Sequence, residues 1–428
     1  MTETLVFVAG RTMRIRYLSL TNFRNYARLE LSLPREPLLL HGGNAQGKTS
    51  LLEAIYLLAA GSSPLTSSDR ELIRWQAEAE GLPYARVWAE VERGRETIEL
   101  EIALEKRTLS NGSSRLQKTV RIDRAQKRQS KLSGKLNVVL FTPQHVDLVA
   151  GSPSGRRRYM NDALSQVDEV YSEAVSRYEK ALRQRNAALR HVRDEGGNPA
   201  QLQPFERVLA EEGVIIAIRR RGFLEDLSKR VKRIHMHLTG EREWLRLDYV
   251  PNFDPSTPPA LKARVGMDLP KKERPRSGIS VEQLVEIYQR ALVERRSEEI
   301  ARGVTVFGPH RDEIRFIAGS PTLGTHDVDL RTYGSRGQQR TAVLSLKLAE
   351  LRWMEEQTNE SPVLLLDEVL AELDKTRRAY LLEHVDDVEQ AVLTATDPQM
   401  FSASFLDHAV TWKVEGGLVH AGGATDRA

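Results

Sequence analysis

Cysteine is absent from the 428 residues, which excludes disulfides and thiolate metal sites and suits a reducing compartment. Long apolar runs are absent as well. The best N-terminal candidate, Leu5-Val6-Phe7-Val8-Ala9, is far shorter than the ~18 residues of a membrane span, and no secretory leader is legible, so a cytoplasmic protein without membrane partners is expected. No low-complexity tract argues for disorder, and no internal repeat is evident. What remains is ordinary globular material, 40% hydrophobic and 29% charged, long enough for about two or three domains.

The formal net charge of +4 hides an uneven distribution. Residues 1–150 carry 22 basic against 16 acidic side chains, residues 151–303 carry 29 against 23, and residues 304–428 carry 12 against 20. Such a polarity suits a binder of phosphate backbone. A solvated basic face explains it equally well.

One stretch organises the rest. Gly42-Gly43-Asn44-Ala45-Gln46-Gly47-Lys48-Thr49 fits G-x-x-x-x-G-K-[ST], with the apolar run Leu38-Leu39-Leu40 before it and a helical run from Ser50 to Ala60 after it. A strand that ends in a glycine turn and opens a helix aims several backbone N–H groups at one spot, where the helix dipole favours phosphate. In this scheme Gly42 and Gly47 supply backbone shapes that a Cβ would hinder, Lys48 reaches the β- and γ-phosphates, and the Thr49 hydroxyl holds Mg²⁺. The competing reading is a chance glycine turn.

Residues 1–12 read as an extension, because period-two alternation begins at Met13–Leu20 and returns in Ala27–Leu33, an expected antiparallel pair. Between them, Asn22-Phe23-Arg24-Asn25-Tyr26 is either a turn or a set of aromatic and guanidinium groups lying against a nucleotide. Ala85–Val91, Thr97–Leu104 and Lys118–Ile122 suggest a small meander over the nucleotide domain, and Leu136–Phe141 a buried strand. From Gly151 the period becomes 3.6. Ser154–Leu164, Val167–Arg193, Leu202–Leu238 and Val281–Arg302 read as helices of an inserted lobe, interrupted by Gly196–Pro199 and the Pro-rich Pro251–Pro275. Basic clusters stud it: Arg156-Arg157-Arg158, Arg183/Arg185/Arg190/Arg193, Arg219-Arg220-Arg221 and Lys229/Arg230/Lys232/Arg233. No clean a/d heptad runs through it, so a compact lobe is expected rather than a coiled coil. The strand pattern resumes at Gly303–Phe307, followed by Gly308-Pro309-His310-Arg311-Asp312. The lone His310 could be read there as a catalytic base, but the Gly-Pro turn favours a structural role, with His310 and Arg311 orienting neighbours near the nucleotide.

Val363-Leu364-Leu365-Leu366-Asp367-Glu368 is an apolar strand ending in two carboxylates. Asp367 would bind Mg²⁺ and Glu368 would polarise the attacking water as general base. Ser335-Arg336-Gly337-Gln338-Gln339 opens another helix and offers a second anion-seeking helix end. Ala371-Glu372-Leu373-Asp374 follows the Asp-Glu strand at the distance of a D-loop. Both helix ends can meet one γ-phosphate only if two subunits pair head to tail. The expected fold class is therefore α/β: an ABC-type ATPase head, with a mixed sheet, helices and an antiparallel β subdomain, and an inserted, mostly helical second lobe. Residues 13–150 and 304–428 supply the head and 151–303 the insertion.

This ordered set resembles the RecF family, bacterial recombination-mediator ATPases of the SMC/ABC superfamily, from Met13 to about Val419. The marks are Leu20–Tyr26, Gly47–Tyr56, Gly151-Ser152-Pro153 with Arg156–Arg158, Gly308–Asp312, Gly337–Thr341 and Leu366–Glu368. The resemblance implies a protein that dimerises on ATP and Mg²⁺, clamps duplex DNA or a single-strand/double-strand junction, hydrolyses ATP slowly, and works with RecR and RecO to load RecA. It also implies that Ser50, Ser335, Gly337, Gln338 and Asp374 meet nucleotide. Three positions depart from the ABC or family pattern. Ala45 stands where the family usually has glycine, Gln144 replaces a carboxylate and is a possible counterpart of the Q-loop glutamine, and Thr396-Asp397 stand where transporter-type proteins carry a switch histidine. The alternative is an ABC- or SMC-like ATPase subunit of a transporter or nuclease complex. The first would lack a large basic insertion, and the second carries a far longer coiled coil.

Overall fold

The computed structural model describes residues 12–108, 114–254, 280–320 and 327–421. The expected extension lies outside the described residues except for Thr12, and so does most of the Pro-rich stretch.

Alternation along Met13–Phe23 buries Ile15, Leu18 and Leu20 and builds the first sheet. The strand pairs antiparallel with Tyr26–Ser32 on one side and with Tyr84–Arg93 on the other. Glu96–Thr108, Ser114–Ile122 and Ala125–Lys127 continue the same sheet. The hairpin and the meander read separately in the sequence are thus one six-stranded antiparallel sheet. Local alternation carries no information about the long-range pairing that joins them.

The second sheet runs in the order Leu418–Ala421, Val410–Glu415, Leu38–His41, Ala391–Ala395, Val363–Asp367, Val138–Phe141. All its pairs are parallel except the terminal hairpin. Its strands are continuous apolar runs because both faces are covered. Leu38, Leu40, Val363 and Leu365 face the helix Lys48–Ala60 and, beyond it, the antiparallel sheet. Leu39, Leu364, Leu366 and Leu393 face a second core formed with the helix Arg336–Thr358 and the helical lobe. Lys48–Ala60 lies between the two sheets, which is why Leu51, Leu52, Ile55, Leu57 and Leu58 are all buried instead of forming one stripe.

The lobe consists of Pro153–Val167, Glu169–Glu195, Gln203–Leu238, Val281–Glu294 and Arg296–Arg302. It is compact: Gln203–Leu238 packs on both Glu169–Glu195 and Arg336–Thr358. Two expectations are corrected. The single helix over Val281–Arg302 is broken at Arg295, whose guanidinium lies 4.4 Å from the Phe307 ring centroid. Gly303–Phe307 is not a strand: Asn186 Oδ1 accepts from both the Thr305 backbone N–H and its hydroxyl at 2.8 Å, replacing a ladder. The strand there is Glu313–Gly319, which pairs antiparallel with Trp244–Val250. A three-stranded sheet therefore stitches residues 151–303 to residues 304–428.

Part of the basic excess is interior. Arg156 donates to Glu313 Oε2 at 2.7 Å, and Arg220 donates to Asp312 Oδ2 at 2.8 Å. Arg185, fully buried, pairs with Glu206 at 3.0 Å and Glu299 at 2.6 Å. Arg156 and Arg220 fasten the lobe to residues 304–428, Arg185 ties three helices of the lobe to one another, and none of the three is exposed to a polyanion. Among the described residues, no helix is long and apolar enough to cross a membrane.

Candidate nucleotide-binding site

Strand Leu38–His41 ends in the centre of the parallel sheet and hands the chain to the glycine loop. Gly42 has φ 149°, and a Cβ there would stand 2.2 Å from the Val414 carbonyl oxygen. Gly47 has φ 117°, and its Cβ would meet the Asn25 amide nitrogen at 2.5 Å and the Tyr26 hydroxyl at 2.8 Å. No other residue fits either position. Ala45 also adopts a left-handed conformation, φ 62°, at a cost of about 1–2 kcal/mol that glycine would avoid. That is the physical sense of the glycine usual there.

The loop is braced from three sides. Tyr26 donates its hydroxyl proton to the Gly47 carbonyl at 2.9 Å, Asn25 donates to the Gln46 carbonyl at 2.9 Å, and the Gly416 N–H donates to Gln46 Oε1 at 2.6 Å. Phe23 and Tyr26 are fully buried, so the aromatic groups of the Asn22–Tyr26 turn support the loop and do not face a ligand. Arg24 is held by Glu53 through two hydrogen bonds of 2.7 Å.

The Lys48 amine donates to the carbonyls of Gly42 at 2.7 Å and Gly43 at 2.9 Å, and it pairs with Glu368 Oε1 at 3.1 Å. The Thr49 hydroxyl lies 2.9 Å from both Asp367 carboxylate oxygens, and Thr394 donates to Asp367 Oδ1 at 2.8 Å. Burial pushes the Asp367 carboxyl above its ordinary range, the two threonine hydroxyls pull it back, and the neighbouring Glu368 charge pushes it up again. Glu368 sits at φ 53°, a conformation rare outside glycine, and strain of this kind concentrates at functional positions. A cavity of about 850 Å³ joins Asn44, Ala45, Gln46, Gly47, Lys48, Thr49, Ser50, Gln144, Asp367 and Glu368 with Arg24, Asn25 and Trp75.

Other expected residues stand apart from it. Ser335 caps the helix Arg336–Thr358 and forms a reciprocal capping box with Gln338, whose side chain also donates to Glu243 at 3.1 Å. Ser335, Gly337 and Gln338 do not line the loop's cavity, nor does Asp374, which caps Lys375–Asp387 by accepting from the Arg377 N–H at 3.0 Å. His310 and Arg311 correct an expectation. They lie beneath the lobe, His310 bonding Tyr178 at 2.7 Å and the Thr305 carbonyl at 3.0 Å, because Gly308–Asp312 turns toward the lobe and away from the loop. Thr394 and Trp75 escaped the sequence reading: nothing local distinguishes a threonine inside a buried strand, or a tryptophan opening a short helix.

The residues at hand fit a hydrated divalent cation of the magnesium type: a hydroxyl and a carboxylate, both hard oxygen donors, converge beside a helix N-terminus. Among the described residues no group of three or more His, Cys, Asp or Glu could hold a metal alone. Phosphate and water would have to complete the shell.

Residues 14–416 match the family described as the RecF/RecN/SMC N-terminal domain. The chain is 40% identical to the DNA replication and repair protein RecF of Chloroflexus aurantiacus over 421 residues, covering 96% of this chain and all of that one. It is 36% identical to RecF of an Exiguobacterium species, covering 95% and 99% of the two chains. A solved structure described as the recombination mediator RecF with ATP in the RecFOR pathway superposes with a TM-score of 0.78 at 28% identity, covering 98% of this chain and 100% of that one. With the glycine loop, the Asp-Glu strand and the capped Ser335 helix in place, this chain belongs to the RecF family of DNA replication and repair proteins, ATPases built on the SMC-type head.

Proposed function

We propose that this protein is an ATP-dependent DNA-binding protein of recombinational repair, whose ATP-driven homodimer closes on duplex DNA or a gap junction and opens on slow hydrolysis. The observation that carries the reading is the convergence of Thr49, Asp367, Lys48 and Glu368 on one cavity from the two ends of the sequence. Residues 13–150 and 304–428 act as the head and 151–303 as the second lobe. RecR and RecO are the proposed partners, with RecA loaded downstream.

In this reading the backbone N–H groups of Asn44 to Thr49 and the helix N-terminus take the phosphates. Lys48 exchanges its carbonyl and Glu368 contacts for β- and γ-phosphate oxygens. Glu368, released from the ion pair, accepts the proton of the attacking water as its oxygen bonds to the γ-phosphorus and the β–γ bridge breaks, giving ADP and phosphate. Thr49 and Asp367 would hold Mg²⁺, which supplies charge neutralisation when bound. Ser335, Gly337 and Gln338 of the partner copy cover the γ-phosphate, Asp374 lies at the same dimer face, and Gln144 reports on the phosphate end.

Sedimentation of the wild-type protein and Lys48→Ala, with and without a nonhydrolysable ATP analogue and gapped DNA, tests this reading. Analogue-dependent dimers that bind DNA are expected from the wild type alone. With six to ten phosphates neutralised, affinity should fall about 10³- to 10⁵-fold between 50 and 200 mM salt. A flat salt response, or dimers indifferent to nucleotide, would count against the clamp.

A further inference from the structure

We infer that Trp75 is the stacking face for the base of the nucleotide whose phosphates the glycine loop takes. This rests on the nucleotide reading of the cavity and adds to it a subsite for a heteroaromatic ring. Trp75 is 74% exposed and Leu65 42% exposed, although most large apolar side chains here are buried. Both line the cavity that holds Lys48 and Thr49. Exposed apolar side chains standing singly are ordinary, Tyr333 among them; an indole and Leu65 exposed together in the lining of one phosphate-binding cavity offer a face to the ring attached to those phosphates.

The placement is fixed by the backbone. Trp75 opens the short helix Trp75–Ala79, two residues after Ile73, which bridges to Phe23. The Arg74 N–H donates to the Asn22 carbonyl at 2.8 Å, and the Arg24 N–H donates to the Leu72 carbonyl at 2.8 Å. The same Asn22–Tyr26 turn donates from Asn25 and Tyr26 to the glycine loop. The indole and the phosphate-binding amides are thus fastened to one turn, so the span between them is set before any ligand arrives. Glu71 and Gln76 line the cavity next to the indole and offer polar groups to a base edge.

The test uses the full-length protein, kept monomeric by dilution, with Trp75→Ala and Trp75→Phe. Titration calorimetry with a nonhydrolysable ATP analogue is compared with inorganic tripolyphosphate, which has phosphates and no base. Stacking predicts that Trp75→Ala weakens the analogue about five- to a hundredfold, that Trp75→Phe stays near wild type, and that tripolyphosphate binds all three alike. Unchanged analogue affinity in Trp75→Ala overturns the inference. So does an equal loss of tripolyphosphate, which would mean a damaged loop, or a defect seen only in dimerisation, which would mean that the indole meets a second copy. If the wild type binds neither ligand, the nucleotide reading itself falls and this inference falls with it.

Discussion

Lys48 and Glu368 face each other across the site as an ion pair, Nζ to Oε1 3.1 Å, with the lysine side chain buried and the glutamate's 36% exposed. The pair links the glycine loop to the end of the Asp-Glu strand. A triphosphate would compete with Glu368 for the lysine, so filling the phosphate site and freeing the carboxylate become one event.

Replacing Glu368 with Gln keeps the shape and removes the proton acceptor. Hydrolysis should fall about 10²- to 10⁴-fold while analogue binding persists, and the ATP-bound dimer should dwell longer on DNA. Phosphate release and DNA dissociation measured on the same variant check it; unaltered turnover would mean that Glu368 is not the base.

Ser335→Arg places a long cation at an exposed helix end that does not line its own chain's phosphate cavity. Monomer nucleotide affinity should be unchanged and pairing lost. The substitution also removes a capping box, costing about 1 kcal/mol of stability. Equilibrium binding, sedimentation and thermal melting separate these effects, and pairing that survives would remove the head-to-tail arrangement.

Arg185→Ala leaves Glu206 and Glu299 buried, with only Arg296 still paired to the first. A loss of about 3–5 kcal/mol in denaturant unfolding is expected. Arg183→Ala, in the same basic cluster but 72% exposed and 4.0 Å from Glu179, should change stability by less than about 0.5 kcal/mol.

Histidines held neutral by burial make stability pH-dependent, His310 and His235 among them, with His145 and His384 pushed down by the same cause. His310 is pushed down to about 4 chiefly by burial, then by Arg311, Arg157 and Arg220, and His235 is pushed down to about 4 by burial. Between pH 4 and the ordinary histidine value near 6.5 the unfolded chain binds more protons than the folded one. The contribution is therefore fully present above about pH 6.5 and is lost as pH falls toward 4. Melting temperature should drop over that window, and His310→Gln, less stable at pH 7, should drop less steeply. An equal slope would show that His310 carries a proton in the folded state.

How much of the site was legible depended on whether the chemistry was local. Gly42, Gly47, Lys48 and Thr49 sit in one turn whose geometry admits few residue types, and Asp367-Glu368 end a run that can only be a buried strand. Ala45 departs from the glycine of the family pattern, and its positive φ shows why glycine suits that position. Tyr26, Asn25, Thr394 and Gly416 brace that turn or Asp367 from other segments, and no spacing rule links them to it. The arginines show the converse. Arg156, Arg183, Arg185 and Arg220 look alike in the sequence, yet three are buried ion-pair partners and one is a surface side chain.

The sequence by itself determined the strand–loop–helix that takes phosphate, the Asp-Glu strand, and the change from period two to period 3.6 at the lobe, because each is set by backbone sterics or by one face of one element. Tertiary structure alone decided that six antiparallel strands form a single sheet, that the strand Trp244–Val250 stitches the lobe to the head, and that Trp75 lines the same cavity as the phosphate loop. Those are matters of which segments meet, and meeting is settled by burial and long-range pairing summed over the whole chain.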